Sequence, residues 1–271
     1  MSRNARGGVK TSLHAELLEI FLTNVEVLRK AGWVVAQDDS PAWWDNLQSP
    51  HEVAIAAILV QLNSWEKVKE AVVRLREKGL SNLRELSRLS IEEIDREISS
   101  INFHRTKAER LKKLSELYTV YGDRLFKEYD LLRSVKGIGE ETARAIMLFA
   151  GNVRTVPPSE YLSRVLSRVL GSKLSKEEAA KLVSGWTEDL FSTKLLYAGI
   201  TTVGKLFCKP EPRCKECIIS RYCNYSREAV RVGGENSPRL VRSKSAERSP
   251  GDGQVRGEGQ VRGEGTGSRR G

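Results

Sequence analysis

All four cysteines of the 271-residue chain, Cys208, Cys214, Cys217 and Cys223, fall within sixteen residues in the pattern C-x5-C-x2-C-x5-C. Four thiolates around a tight C-x2-C pair suit either tetrahedral zinc or a cubane iron–sulfur cluster. Zinc knuckles usually carry two C-x2-C pairs set well apart. Here one pair is flanked by two five-residue arms, the first stiffened by Pro210 and Pro212, which favours the cluster. The N-terminal MSRNARGGVK is basic with no apolar stretch behind it, so an intracellular protein without a secretory leader is expected, and disulfides are disfavoured.

A second chemical feature is Gly137-Ile138-Gly139, set between an apolar segment and the helical pattern around Thr142 and Ala143. Two glycines permit turn conformations that bulkier residues resist. They also expose consecutive backbone N–H groups beside a helix N-terminus, a natural seat for phosphate that reads no sequence. Taken alone, the Gly-x-Gly fits a plain helix–turn–helix connector equally well.

Helical spacing dominates the elements that must position these groups. Leu13, Leu17, Leu18, Phe21, Val25 and Leu28 form one stripe, which ends at Gly32. After a loop containing Pro41 and Pro50, a buried segment starts near His51 and carries the longest apolar run, 53–60. An amphipathic helix over 65–77 stops at Gly79, and Ser90 with Glu93 predicts a capping box. Further helices are expected at 104–118, 141–150, 161–170, 176–186 and 195–207. Strand alternation is nearly absent, so the fold class is all-α. The eight-residue apolar run is too short to span a bilayer, so no membrane segment is expected.

Lys and Arg number 45 against 35 Asp and Glu, a net charge of +10. Residues 226–271 hold ten basic and six acidic residues, so +4 belongs to this Gly/Ser/Arg-rich tail and +6 to the body. The tail repeats GQVRGE and is almost free of large apolar groups, so it is expected to be disordered. A basic body points to a polyanion, most commonly nucleic acid.

In combination these motifs identify a family. LLRSVKGIGEETARAIMLFA resembles the helix–hairpin–helix of the endonuclease III superfamily of DNA glycosylases, and FCKPEPRCKECIISRYC resembles its four-cysteine [4Fe–4S] loop. PAWWDNLQSPHEVAIAAILVQLNSWEKVKEAV and INFHRTKAERLKKL are similar to the branch containing 3-methyladenine glycosylases, where WWP…LTQNTSW is usual. The resemblance spans 11–225. It implies two helical subdomains with a DNA-binding cleft between them. One is a middle subdomain, about 48–152, with the hairpin. The other is a terminal subdomain, 11–47 plus 153–225, with the cluster loop 208–223. It further implies a monomer on double-stranded DNA in the cytoplasm, associated with the nucleoid, that flips a damaged base and cleaves its N-glycosidic bond. Gly137, Ile138, Gly139 and Thr142 are then expected to hold DNA. Gln61 would sit near the vacated base-pair space, and Trp43, Trp44 and Trp65 would line the base pocket. Lys205, Arg213, Lys215 and Arg221 would face DNA.

Two positions depart from the family pattern. Bifunctional members carry a nucleophilic lysine just after the Gly-x-Gly-x, where this chain has Glu141; a carboxylate forms no imine, so monofunctional chemistry is expected. TVPPSEYLSRVLSRVLG resembles the stretch with the catalytic aspartate, but the aspartate position is Ser159. Glu160 is adjacent and could substitute only if Pro157-Pro158 shifts the register, since neighbouring helical residues point about 100° apart. Val60 and Leu62 also replace the branch's usual Thr and Asn. The leading reading is a monofunctional glycosylase acting on damaged bases, alkylated ones among them. Its rivals are a noncatalytic iron–sulfur DNA-binding protein and a metal-stabilised basic scaffold.

Overall fold

The computed structural model describes residues 12–232. The described residues form thirteen α-helices, with no strand beyond an isolated bridge between Trp33 and Trp44. In chain order these are α1 Leu13–Thr23, α2 Val25–Lys30, α3 Pro50–Leu59, α4 Trp65–Glu77, α5 Leu83–Leu86, α6 Ile91–Glu97 and α7 His104–Tyr121. They continue with α8 Tyr129–Arg133, α9 Glu140–Phe149, α10 Glu160–Leu170, α11 Lys176–Trp186, α12 Leu190–Leu206 and α13 Asn224–Val232. No helix among the described residues is long and apolar enough to cross a membrane.

Local chemistry sets most of these boundaries. Ser49 caps α3 with Pro50 in the first turn, and Ser90–Glu93 and Ser175–Glu178 close full capping boxes on α6 and α11. The single N-terminal stripe is split at Asn24. There the Thr23 hydroxyl donates to Glu19 O and the Asn24 amide donates to Ile20 O, at 3.0 and 2.8 Å. Such side chains compete with the backbone for helical carbonyls. Residues 226–232, expected to belong to a disordered tail, are instead part of α13, and Ser226 is buried, because that helix packs on α10. The rest of that segment lies outside the described residues.

Extensive helix packing falls into two groups. Helix α3 is apolar on all sides and packs on α4, α7 and α9, while α7 also carries α5 and α6; a helix of that kind belongs at the centre of a core. The other group is built on α12, which packs on α1, α2, α10 and α11, with α13 laid on α10. Gly199 of α12 lies so close to α1 that a Cβ there would sit 2.1 Å from the Phe21 ring.

Two buried lysines tie loops to these cores. The Lys107 ammonium donates to Leu59 O at 2.8 Å and Gln61 O at 2.6 Å. That of Lys194 donates to Asp38 O at 2.6 Å and Asn152 Oδ1 at 2.8 Å. Burial lowers the pKa of each to about 8. Between that value and the ordinary lysine range the unfolded chain binds more protons than the native one, so stability rises with pH there. The burial penalty is present in full below about 8. Wild type is therefore expected to gain stability from pH 8 to 10 relative to a Lys107→Met/Lys194→Met variant, as read by urea midpoints. A constant difference across that window would contradict this.

Candidate nucleic-acid and base-binding site

Hairpin residues 134–139 join α8 to α9. Gly137 has φ +94°, and a Cβ there would lie 2.1 Å from Arg110 Nε. Glycine is therefore required both by the backbone and by the guanidinium packed against it. Ile138 is buried beneath the turn and its carbonyl accepts from Arg133 at 2.6 Å. Gly139 is the N-cap of α9. Among the described residues the amides of Gly137 and Gly139 have no backbone acceptor, and both glycines are exposed. The turn thus presents free N–H groups at the positive end of a ten-residue helix.

Beside the hairpin lies a cavity of about 530 Å³, a size typical of small-molecule sites. One wall is a column of three indoles. Trp33 stacks on Trp44 at 5.8 Å between centroids, and Trp44 stacks on Trp65 at 5.4 Å. The column is held by the Trp33–Trp44 bridge and by the Trp65 indole N–H, which donates to Asp45 at 2.6 Å. Asp45 and Asn46 adopt positive φ, the bend that swings Trp44 against its neighbours. Phe149 of α9 and Tyr197 of α12 continue the aromatic lining. Trp44 and Trp65 are thus on the wall. Trp43 is not: it is fully buried, its indole N–H donating to Gln37 O at 2.8 Å and its ring packed on Phe191. Trp33 takes the place given to it, through a pairing across a loop that no local pattern encodes.

Gln61 lines the cavity, with its amide donating to the Thr142 hydroxyl at 2.9 Å and its carbonyl oxygen accepting from Arg110 at 2.8 Å. The next residue, Leu62, is 78% exposed at φ +57°, and Phe103 is 65% exposed at φ +58°. Asn102 links their loops, its side-chain amide donating to Leu62 O at 3.0 Å. Two exposed apolar side chains on left-handed backbone are costly by about 1 kcal/mol or more apiece. Sequence reading noted Leu62 only as a departure and missed Phe103; exposure is a property of the fold.

Ser159 is 1% exposed and is the N-cap of α10, its hydroxyl accepting from Leu162 N at 3.3 Å. It contacts the Tyr197 hydroxyl and does not line the cavity. Glu160 is 73% exposed and pairs with Lys176 at 3.3 Å, also outside the cavity lining. Carboxylates that do line it are Glu66 and Glu141. Glu141 is open to solvent yet crowded by protein, and this crowding pushes its carboxyl above the usual range; Lys176 pulls it down and Glu160 pushes it up. Burial drives the Tyr197 phenol far above its ordinary value, with the Glu141 charge adding to it. Lys205 also lines the cavity, its ammonium donating to Ala31 O at 2.9 Å. Arg213 is held at Glu216 and Leu206 O, and Arg221 packs over the Tyr222 ring.

The four cysteines line a separate apolar cavity with Val165, Val169 and Ile219 among its walls, and none of them is paired in a disulfide. Among the described residues no three His, Cys, Asp or Glu side chains are gathered tightly enough for a single metal ion. Arg168 of α10 donates to Cys208 Sγ at 3.2 Å and to Lys209 O at 2.6 Å, while Arg164 donates to Cys208 O at 2.7 Å. Burial pushes the thiols of Cys214, Cys217 and Cys223 up, Cys217 to about 11. Four thiolates could coexist here only around compensating positive charge, which suits a metal centre with Arg168 at its edge.

Comparison with known proteins accords with this geometry. Over 197 residues the chain is 30% identical to a provisionally named DNA repair glycosylase of Methanocaldococcus jannaschii, covering 67% of this chain and 88% of that one. It is 24% identical to a thymine/uracil-DNA glycosylase of Methanothermobacter thermautotrophicus, covering 71% and 89%. Its fold is similar to that of endonuclease III in a trapped covalent DNA complex, with a TM-score of 0.62 at 18% identity, covering 81% and 100% of the two chains. Residues 55–189 match the family described as HhH-GPD superfamily base excision DNA repair protein. With its hairpin and adjoining cavity, the chain belongs to this superfamily of base excision DNA repair proteins.

Proposed function

We propose that this protein is a monofunctional DNA glycosylase, working as a monomer on duplex DNA at the nucleoid, that removes a damaged, alkylated base. The observation that carries the reading is the indole column of Trp33, Trp44 and Trp65 on the wall of a cavity next to the hairpin amides. Amides at Gly137 and Gly139 would hold a backbone phosphate without reading sequence. The extrahelical base would stack on the indoles, whose electron-rich faces favour a cationic alkylated base. Leu62 and Phe103 would enter the space it leaves, as apolar wedges do in kinked duplexes. On this reading the two helix groups are subdomains, 48–152 and 11–47 plus 153–225, flanking the DNA cleft. Glu141 at the lysine position supports base release without strand cleavage.

The test is free-base release from duplexes carrying methylated, deaminated or oxidised bases. Free methylated base with the strand intact until alkali is expected. Salt-sensitive duplex binding with no base released from any substrate would instead establish the noncatalytic reading. That alternative draws on one observation, the commitment of Ser159 to capping α10.

We infer that the cysteines hold a [4Fe–4S] cluster. Cys208, Cys214, Cys217 and Cys223 would supply the thiolates, and Arg168 would offset part of their charge. Bound there, the group would tie loop 208–223 together beside α10, whose Arg164 and Arg168 already hold Cys208 and Lys209. Anaerobically purified protein is expected to be brown, with iron and acid-labile sulfide; a colourless preparation containing zinc would contradict this.

A further inference from the structure

Base release in this cavity would call for a group that answers positive charge at a sugar carbon, and Ser159 is buried with its hydroxyl committed to α10. We propose that Glu141 is the catalytic carboxylate of this cleft. The inference rests on the glycosylase reading above and assigns the residue that performs it.

Placement carries the argument. Glu66 and Glu141 both line the cavity, but they stand at different places on it. Glu66, in the first turn of α4, faces the Lys205 ammonium. Glu141 lies in the first turn of α9, two residues beyond the capping Gly139. A phosphate seated on the hairpin amides is separated from the anomeric carbon of its own nucleotide by only a few bonds. The same helical turn that holds the phosphate therefore carries a carboxylate toward the sugar. Thr142, the next residue, is fixed by the Gln61 amide at 2.9 Å, which steadies this turn. The groups facing Glu141 come from three elements: Glu160 of α10, Lys176 of α11 and the Tyr197 hydroxyl of α12. It thus stands between the rim of the cleft and its aromatic floor, accessible to a water molecule and to substrate.

The step balances with water as co-reactant. The C1′–N bond breaks and its electron pair leaves with the base. Water oxygen bonds to C1′, and its proton passes to the Glu141 carboxylate. In the transition state the carboxylate's charge stabilises the oxocarbenium character of the sugar. A cationic N-alkylpurine becomes neutral as it departs, so no proton donor is needed and a single carboxylate suffices. A neutral base would need an acid as well, so a carboxylate acting alone favours positively charged alkylated purines.

Single-turnover release of base from a dimethyl-sulfate-treated duplex, read by mass spectrometry, tests this with wild type, Glu141→Gln and Glu141→Asp, together with duplex affinity and melting temperature. The glutamine variant is expected to bind duplex as wild type does and to release base slower by about 100-fold or more. Wild-type rates should rise with pH through an inflection above the ordinary glutamate range, and that inflection should vanish in Glu141→Gln. The aspartate variant should retain more activity than the glutamine. If Glu141→Gln melts early, Glu141→Asp decides: a lowered rate with a displaced inflection supports the assignment, and an unchanged rate and inflection overturn it. Equal rates and pH profiles in wild type and a folded Glu141→Gln overturn the role of Glu141 and leave the glycosylase reading standing. No release by wild type from any duplex overturns both.

Discussion

The arrangement depends on a single buried ammonium. Lys194 reaches from α12 to Asp38 O in the N-terminal loop and to Asn152 Oδ1 just beyond α9, and its ammonium lies 5.6 Å from the centre of the Phe149 ring. Those three elements supply much of the wall of the tryptophan cavity, Trp65 of α4 completing the indole column: Trp33 and Trp44 from the loop, Glu141 and Phe149 from α9, Tyr197 and Lys205 from α12. A charge with so little solvent holds its acceptors tightly, because losing one leaves a buried ion unsatisfied. Lys205 repeats the device nearer the rim by donating to Ala31 O.

Helix α10 links this cavity to the cysteine loop. Its N-cap, Ser159, lies under Tyr197, while Arg164 and Arg168 farther along the helix bind the carbonyls of Gly204, Cys208, Lys209 and Pro210. A metal centre in the loop would therefore hold a helix whose other end supports the cavity floor. The Lys194 ammonium, the cavity and α10 are thus joined through side chains that bind backbone carbonyls.

Much of the frame was legible in the chain itself, for physical reasons. The capping box at Ser90 and the amphipathic run from Trp65 to Glu77 are local, so they appear in the structure as the pattern predicts. The Gly137–Gly139 turn was legible because positive φ selects glycine. The wall of the cavity was less so. Trp33 and Trp43 are equally aromatic in sequence, and only the long-range bridge between Trp33 and Trp44 decides which one reaches the cleft. Glu141 could be read as an absent lysine but not as a lining carboxylate, because its surroundings come from α10, α11 and α12. Ser159 shows the reverse: a position where family pattern suggests chemistry is claimed by the local need of a helix for an N-cap.

The central claim is that the indole-lined cavity receives an extrahelical base while the hairpin holds the backbone. A crystal structure with a duplex carrying one uncleavable, positively charged base analogue tests it most directly. The account predicts that nucleotide turned out of the helix, its base against the Trp33–Trp44–Trp65 column, a phosphate on the Gly137 and Gly139 amides, and the Glu141 carboxylate facing the sugar. An analogue still stacked in the duplex, with the cavity unfilled and DNA bound on another face, would contradict it.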